Sequence, residues 1–184
     1  MKRLLLSLAL FSTVPAFAGT WALEADALSF FLSGHSTIVR HAWDSGFEVA
    51  LGAGKFTLPS TIVEGEQNDY DQAKWKAESE SIQVARVGYR FCKSYGNGWA
   101  FHLIAMNQRW HVESKKLNLS SRYSVLATGL EAGYYYHLSK SFYIYPVASV
   151  TQNDIYKGDN KIGGRTYDVP AASWSGSIHV GFEF

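Results

Sequence analysis

The chain has 184 residues, 47% hydrophobic and 15% aromatic, with 17 basic and 16 acidic side chains and a formal net charge of +1. This length suits one domain with its own core, and a single cysteine, Cys92, excludes a disulfide framework. The apolar content argues against a disordered chain, and the balanced charge argues against a nucleic-acid partner. Past the N-terminus, no stretch approaches the roughly 18 apolar residues that a membrane-spanning helix needs.

The N-terminus has the pattern of an export signal. Two basic residues precede an apolar run over residues 4–14, and a small-x-small cleavage pattern ends at Ala18. A buried first helix is the alternative interpretation. Cleavage after Ala18 divides the chain into a signal peptide, residues 1–18, and one domain, residues 19–184. No cysteine lies at the cleavage point, so we expect an exported protein without a lipid anchor.

Beyond residue 18 the apolar side chains recur with a period of two, which indicates strands. In chain order, the pattern predicts strands over residues 36–43, 47–58, 78–91, 98–113, 122–138, 142–153 and 172–184. The last is the clearest, because its apolar face ends in Phe182 and Phe184 while its other face is polar. In 78–91 the alternation changes phase near Arg86, which predicts a bulge or a non-uniform lumen.

The connections between these segments alternate in length. Short turns lie at residues 44–46, 92–98 and 139–141, whereas longer polar connections lie at 59–77, 114–121 and 154–170. This alternation is typical of a transmembrane β-barrel with short periplasmic turns and long extracellular loops. Aromatic residues crowd beside the short turns, as an aromatic girdle at one bilayer interface requires. A soluble β-protein with scattered core aromatics is the alternative.

Residues 21–31 complete the strand count. Bacterial single-chain barrels normally have an even number of strands and both ends in the periplasm, so seven segments leave one upward strand missing. Residues 21–31 alternate well enough to supply it, with Ser33-Gly34-His35 as the turn. The competing interpretation is an amphipathic helix from Leu23 to Leu32, stopped by Gly34.

Three features of the chain resemble small eight-stranded outer-membrane barrels of the OmpA/OmpX-like type. They are the signal peptide, the terminal strand ending in Phe184, and the segment Tyr143-Ile-Tyr-Pro-Val-Ala-Ser-Val150. The resemblance implies an all-β fold: an eight-stranded antiparallel up-and-down transmembrane β-barrel in the bacterial outer membrane. It also implies contact with outer-membrane lipid and lipopolysaccharide, and a terminal strand read by the barrel-assembly machinery. We expect a monomer whose assembly signal is Val180, Phe182 and Phe184.

Polar side chains collect on the inward faces of the predicted strands. Opposite charges inside an eight-stranded barrel cross-link its wall, because side chains just fill a lumen of this size and an unpaired buried charge is costly. The predicted lumen network comprises Glu24, Asp26, Arg40, Glu48, Arg90, His102, Glu131, His137 and His179. A catalytic or ligand-binding role for this cluster is the alternative. Its histidines share no metal-type spacing, so we expect neither a metal nor a cofactor.

A hydrolase or acyltransferase needs a nucleophile beside a base and an orienting acid. Only His35 with Ser36, and His111 with Ser114, have a suitably short spacing. Neither pair resembles the His-x-Ser-Asn pattern of the lipid A deacylase, and adjacent residues of a strand point to opposite faces. The sequence therefore favours a barrel that is not an enzyme.

The predicted outer loops hold the most varied chemistry. Lys115, Lys116 and Arg122 are candidates for contact with lipopolysaccharide phosphates, with a solvated basic loop as the alternative. We expect a structural or surface-interaction barrel whose extracellular loops do the recognising. The alternatives are a lipid A-modifying enzyme and a narrow conduit or binding barrel for small apolar molecules.

Overall fold

The computed structural model describes residues 19–92 and 95–184, which form a closed barrel. In chain order the elements are β1 (Gly19–Asp26), α1 (Ala27–Phe31), β2 (His35–Trp43), β3 (Phe47–Thr57), α2 (Ser60–Glu66), α3 (Tyr70–Ala73), β4 (Trp75–Arg90), β5 (Gly98–Ser114), β6 (Leu119–His137), β7 (Phe142–Gly158), β8 (Lys161–Ile162), β9 (Arg165–Thr166) and β10 (Ala172–Glu183). Strands β8 and β9 form a separate hairpin. The other eight pair antiparallel around the ring, and β1 closes it against β10.

This topology confirms the predicted fold class, an all-β, eight-stranded, up-and-down barrel. Consecutive strands are neighbours, as antiparallel strands joined by hairpin connections must be. The predicted signal peptide, residues 1–18, lies outside the described residues. None of the described helices is long and apolar enough to cross a membrane.

The outward side chains of the barrel form an exposed apolar belt. Leu51, Leu103 and Leu130 are 68%, 60% and 59% exposed there. The aromatic residues exposed beside the short turns are Phe47, Tyr89, Phe91, Trp99, Tyr136, Phe142, Phe182 and Phe184. Because a protein in water rarely exposes so much contiguous apolar surface, the belt has the character of a lipid-facing surface with an aromatic girdle at one edge.

The predicted first strand divides into two elements. Strand β1 ends at Asp26, whose carboxylate accepts a hydrogen bond of 2.9 Å from the backbone N–H of Leu28 and so caps helix α1. The strand prediction is therefore wrong for residues 27–31, and the helix prediction is wrong for residues 23–26. The even strand count holds, because β1 supplies the missing upward strand.

Several strands run further outward than the sequence pattern predicts. Strand β4 begins at Trp75, β6 begins at Leu119 and β7 ends at Gly158. The three long connections correspondingly shorten, to residues 58–74, 115–118 and 159–171. Strands β4 to β7 have 16 to 19 residues, whereas a tilted strand crosses a bilayer in about 9–11. Their outer ends therefore project beyond the lipid-facing belt.

The irregularity in β4 is displaced from its predicted position. The register between β4 and β5 shifts between Ser79 and Ser81, not near Arg86. Arg86 is buried in the lumen and keeps regular pairing with Ile104. The inward face continues through this position, with Val84 before Arg86 and Arg90 after it, so the change in the sequence pattern comes from a lumen that is apolar at one level and charged at the next.

The loops at the outer end of the barrel pack into a roof with its own small core. Val63 of α2, Trp75 of β4 and Tyr167 are buried together there. Gln67 fixes the position of the loop after β9, because its side-chain amide donates to the carbonyl of Asp168 (2.9 Å) and accepts from that residue's N–H (2.8 Å). The long connections thus cover the barrel mouth as a packed layer.

Candidate functional site

A charge network fills the half of the lumen nearest the short turns. At its centre the Arg40 guanidinium donates to the carboxylates of Glu24 (2.9 Å), Glu48 (3.1 Å) and Glu183 (2.6 Å), and to the hydroxyl of Tyr143 (3.1 Å). These side chains come from four different strands and are fully buried. A buried guanidinium needs such partners because an unpaired charge in this environment is very costly.

Two further arginines share these carboxylates. Arg90 donates to Glu183 at 2.6 Å, and Arg86 lies 3.5 Å from Glu24 and 3.3 Å from Glu131. His102 joins the same system, since its imidazole lies 2.5 Å from Glu48 and 3.3 Å from Glu131. The network therefore links opposite walls of the barrel through charge-assisted hydrogen bonds.

A layer of tyrosine rings fills the space between these charges. The rings of Tyr135 and Tyr145 stack with centroids 4.1 Å apart, and the Arg40 guanidinium carbon lies 4.8 Å from the centroid of Tyr135. Gly133 makes room for this layer, because a Cβ there would lie 2.4 Å from the Tyr145 ring. Stacked rings and ion pairs together close the lower lumen to a continuous column of water.

The structure brings most of the predicted lumen residues together. Those joined in one network are Glu24, Arg40, Glu48, Arg90, His102, Glu131 and His179. His137 lies at the lower edge, 3.4 Å from Glu183. Asp26 stands apart from the arginines, since its carboxylate caps α1 and accepts a hydrogen bond from Ser177.

Sequence reasoning missed five members of the network. They are Arg86, Tyr135, Tyr143, Tyr145 and Glu183. Glu183 was identifiable, because it shares the polar face of the last strand with His179. The tyrosines gave no such signal, because a tyrosine is equally suited to a lipid interface and to a barrel interior.

Above the charge network lies a cavity of about 410 Å³, a size typical of small-molecule sites. Arg86, Glu131 and His179 form its floor, and Tyr167, Val169 and Pro170 of the roof cover it. Its walls are largely apolar and include Ile38, Ile82, Val84, Ile104, Met106, Val125 and Val147. The lumen thus changes from charged to apolar along the barrel axis.

One side of this cavity is lined with hydroxyl groups. Strands β7 and β10 place Ser149 beside Ser175 (2.8 Å between the hydroxyl oxygens) and Thr151 beside Ser173 (3.2 Å). Asn153 also donates to Ser173 at 2.9 Å. The cavity can therefore accommodate a molecule that is apolar on most of its surface and polar along one edge.

The residue pairs considered for hydrolysis make other contacts. The Ser36 hydroxyl accepts from the backbone N–H of Asp26 (2.7 Å), and the Ser114 hydroxyl donates to the carbonyl of Ala73 (2.8 Å). Within the described residues, neither serine is hydrogen-bonded to the histidine near it in sequence. In the same part of the chain, no group of three or more His, Cys, Asp or Glu side chains could hold a metal ion.

The predicted basic contacts lie on the part of the barrel that projects outward. Lys115 and Lys116 occupy the turn between β5 and β6, and both are exposed. Arg122 lies on β6 and forms an exposed ion pair with Glu80 (2.6 Å), which also pairs with Arg109 (3.1 Å). The turn lysines and Arg122 are therefore separate features of one hairpin.

The predicted assembly residues lie on the outer face of the strand that closes the barrel. Phe182 and Phe184 are 49% and 67% exposed within the aromatic girdle. Phe184 also exchanges backbone hydrogen bonds with Trp21, of 2.8 and 3.1 Å. Val180 pairs with Ala25 of β1. The C-terminal residue thus makes the last contact of the ring.

Comparison with solved structures identifies the class of protein that this fold defines. The chain is similar to the N-terminal β-barrel domain of OprF from Pseudomonas aeruginosa (14% identity, 91% of this chain, 98% of that chain, TM-score 0.52). It is also similar to a major outer membrane protein from Thermus thermophilus (14% identity, 91% of this chain, 100% of that chain, TM-score 0.52). A third similar structure is Neisserial surface protein A (14% identity, 90% of this chain, 93% of that chain, TM-score 0.47). No protein-family model matches the sequence, and no curated protein is similar to it.

The fold is therefore that of the outer-membrane β-barrels, and the resemblance to OmpA-like barrels is confirmed at the level of the fold. Identities this low carry no function from one protein to another, so the function must be argued from the lumen and the surface of this chain.

Proposed function

We propose that this protein is a non-enzymatic barrel of the bacterial outer membrane that binds a small amphiphilic molecule in its upper lumen. The observation that carries the proposal is the cavity of about 410 Å³ between the charge network and the roof. Its apolar walls suit a hydrocarbon group, and its hydroxyl-lined side suits a polar one. This favours the binding barrel over a purely structural role, which would not require an apolar compartment of this size.

A conduit for ions or polar solutes fits the lumen less well. Fully buried ion pairs around Arg40 and the stacked rings of Tyr135 and Tyr145 obstruct the lower half. The roof covers the opposite end through buried contacts of Val63 and Tyr167. A lumen obstructed below and covered above is better suited to holding a ligand than to passing one along the axis.

Spin-labelled stearic acid, with a nitroxide near its methyl end, tests ligand binding in proteoliposomes. We expect an immobilised nitroxide signal that Val84→Phe abolishes, because Val84 lines the cavity. The matched control is Val87→Phe on the same strand, which adds the same bulk to the exposed outer face. Absence of any signal sensitive to Val84→Phe contradicts the proposal.

The alternative function, a lipid A-modifying enzyme, is tested separately. Lipid A extracted from cells with and without the protein should have the same mass profile, because Ser36 and Ser114 are engaged by backbone groups. A shift by one acyl chain in expressing cells would instead identify an acyltransferase or a deacylase.

We infer a second role, surface interaction, from the outward projection of β4 to β7. The exposed Lys115, Lys116 and Arg122 are suited to phosphate groups of lipopolysaccharide. Replacing both lysines by glutamate should weaken binding of the purified protein to lipopolysaccharide micelles. Reversing Lys140, which follows β6 at the opposite end of the barrel, should leave binding unchanged. Equal binding to lipopolysaccharide by the wild type, the double lysine variant and the Lys140 variant would contradict this role.

A further inference from the structure

Strand β1 is too short to cover the whole of its neighbour β10. Their register runs from Ala22 paired with Glu183 to Asp26 paired with His179, and it ends there. Among the described residues, β10 above His179 has a strand partner only on its β7 side. The uncovered edge, residues 172–178, is about 23 Å long at roughly 3.3 Å per residue.

The uncovered edge lies at the level of the outer half of the lipid-facing belt. On its paired side, Trp174 is opposite Val150 and Gly176 is opposite Ala148. Val150 is 52% exposed on the barrel exterior, and Trp174 is 88% exposed. An uncovered strand edge at membrane depth is tolerated only where protein buries it or where it lines a cavity. The edge of β10 must therefore be covered by protein or line a cavity.

Helix α1 occupies part of the space that a longer β1 would fill. It contacts β10, β2 and β3, and Asp26 at its N-terminus is hydrogen-bonded to Ser177 of β10. Its phenylalanines, Phe30 and Phe31, are exposed on the outside, whereas Leu28 lines the cavity. A five-residue helix is shorter than the edge it faces, so it covers the edge incompletely.

The cavity continues around this edge to the exterior. Its lining includes Ser173, Ser175 and Ser177 from the lumen face of β10 and also Trp174 and Gly176 from the lipid face. Space is open at Gly176, where an added Cβ would meet only the carbonyl oxygen of Val147, at 3.6 Å. A cavity bounded by both faces of one strand opens past the edge of that strand.

We propose that the gap between α1 and the uncovered edge of β10 is a side portal through which a single-chain lipid of the outer leaflet inserts its hydrocarbon chain into the cavity. This inference rests on the proposed function and names its ligand class. The chain lies against the apolar walls around Ile104 and Met106. Hydroxyl, amide or carbonyl groups at the polar end bond to Ser175 and to backbone groups along the edge of β10 that β1 does not cover.

Two portal variants test this inference with the same spin-labelled stearic acid, supplied in vesicles. Gly176→Phe narrows the portal, and its matched control, Ala148→Phe, places the same ring on the partner position of β7. The second variant, Asp26→Cys with Ser177→Cys in a Cys92→Ser background, ties α1 to β10 and is released by a reductant. Heat-dependent gel migration verifies that each variant is folded.

We expect Gly176→Phe and the oxidised double-cysteine protein to load the cavity at least about tenfold more slowly than the wild type. Reduction should restore loading, and Ala148→Phe should load normally. Unchanged loading in both portal variants, with the signal still sensitive to Val84→Phe, would overturn the portal and leave the cavity proposal standing. Loss of the Val84-sensitive signal in the wild type itself would overturn the proposed function.

Discussion

At the scale of single residues, Arg40 holds the barrel together by contacting the carboxylates of three other strands. Glu24, Glu48 and Glu183 belong to β1, β3 and β10 and lie on both sides of the point where the ring closes. Such a centre stabilises one closed arrangement, because every other register would leave a buried charge without its partner.

Arg40→Leu should therefore destabilise the barrel by about 3–5 kcal/mol, since it leaves buried carboxylates uncompensated. The matched control is Arg122→Leu, which removes an exposed ion pair with Glu80 and should cost about 0–1 kcal/mol. Urea unfolding in lipid vesicles, followed by gel migration, measures the free energy of unfolding of both variants. Equal losses would show that the network contributes no more than a surface pair.

Gly133 offers a second test at this scale. A Cβ at Gly133 would lie 2.4 Å from the Tyr145 ring, so Gly133→Ala should cost about 1–3 kcal/mol through overpacking. Gly176→Ala is the control, because its nearest contact would be at 3.6 Å. The same unfolding assay measures both variants. An unchanged free energy of unfolding for Gly133→Ala would mean that the tyrosine rings move to accommodate the added methyl group without loss of stability.

At the scale of elements, the alternating pattern predicted every barrel strand, yet several of their ends were misplaced. Residues 119–121 and 154–158 continue strands beyond the lipid, where no apolar alternation is required and polar side chains hide the extension. The division of residues 21–31 depends on one local hydrogen bond from Leu28 to Asp26, which periodicity does not reveal.

The charge network of the lumen was also predicted only in part from the sequence. The polar faces of the strands identified most of the charges, but pairing Arg90 with Glu183 joins residues 93 positions apart. Their contact depends on the register of the closed ring, which the sequence pattern does not fix to the residue. The position of the cavity depends on the closed ring in the same way, because its lining comes from strands far apart in the sequence.

The terminal strand gives a prediction about assembly. Deleting Phe184 removes two backbone hydrogen bonds to Trp21 and one ring of the aromatic girdle. The truncated protein should be exported but poorly assembled, with a smaller folded fraction in the membrane on unheated gels. Phe184→Tyr keeps the ring and the backbone and should assemble. Normal assembly of the truncated chain would contradict an assembly role for this residue.

A charge on the outer face of the same strand tests its depth. Val180 lies about midway along the lipid-facing side of β10, so Val180→Arg should cost about 2–4 kcal/mol. Gln152→Arg on β7, at the outer limit of the belt, should cost only about 0–1 kcal/mol. Unfolding in vesicles measures the free energy of unfolding of both variants. A similar loss at both positions would contradict the inferred placement of the bilayer.

At the scale of the whole molecule, the barrel is obstructed from within and roofed from outside. The fully buried ion pairs around Arg40 lie below the cavity, and the core of the roof lies above it. This arrangement supports the proposed binding role, because the fold by itself does not decide between a pore, an anchor and a binding barrel.

Planar bilayers containing the purified protein should accordingly show no discrete conductance steps in potassium chloride. The physical reason is that ions would have to displace the buried ion pairs and stacked rings of the lower lumen. Bilayers that receive the same detergent without protein provide the background. Reproducible unitary currents would mean that the network rearranges into an open pore.

The unequal strand lengths give the barrel a slanted rim. Strands β1 and β2 have 8 and 9 residues, at or below the roughly 9–11 with which a tilted strand crosses a bilayer, whereas β5 and β6 have 17 and 19. Around most of its circumference, long carbohydrate chains of the cell surface would meet a tall protein wall. At β1 they would meet a low one, because that strand ends at Asp26, level with His179 of β10. The molecule therefore has a front and a back within the plane of the membrane, and the proposed portal lies at the front.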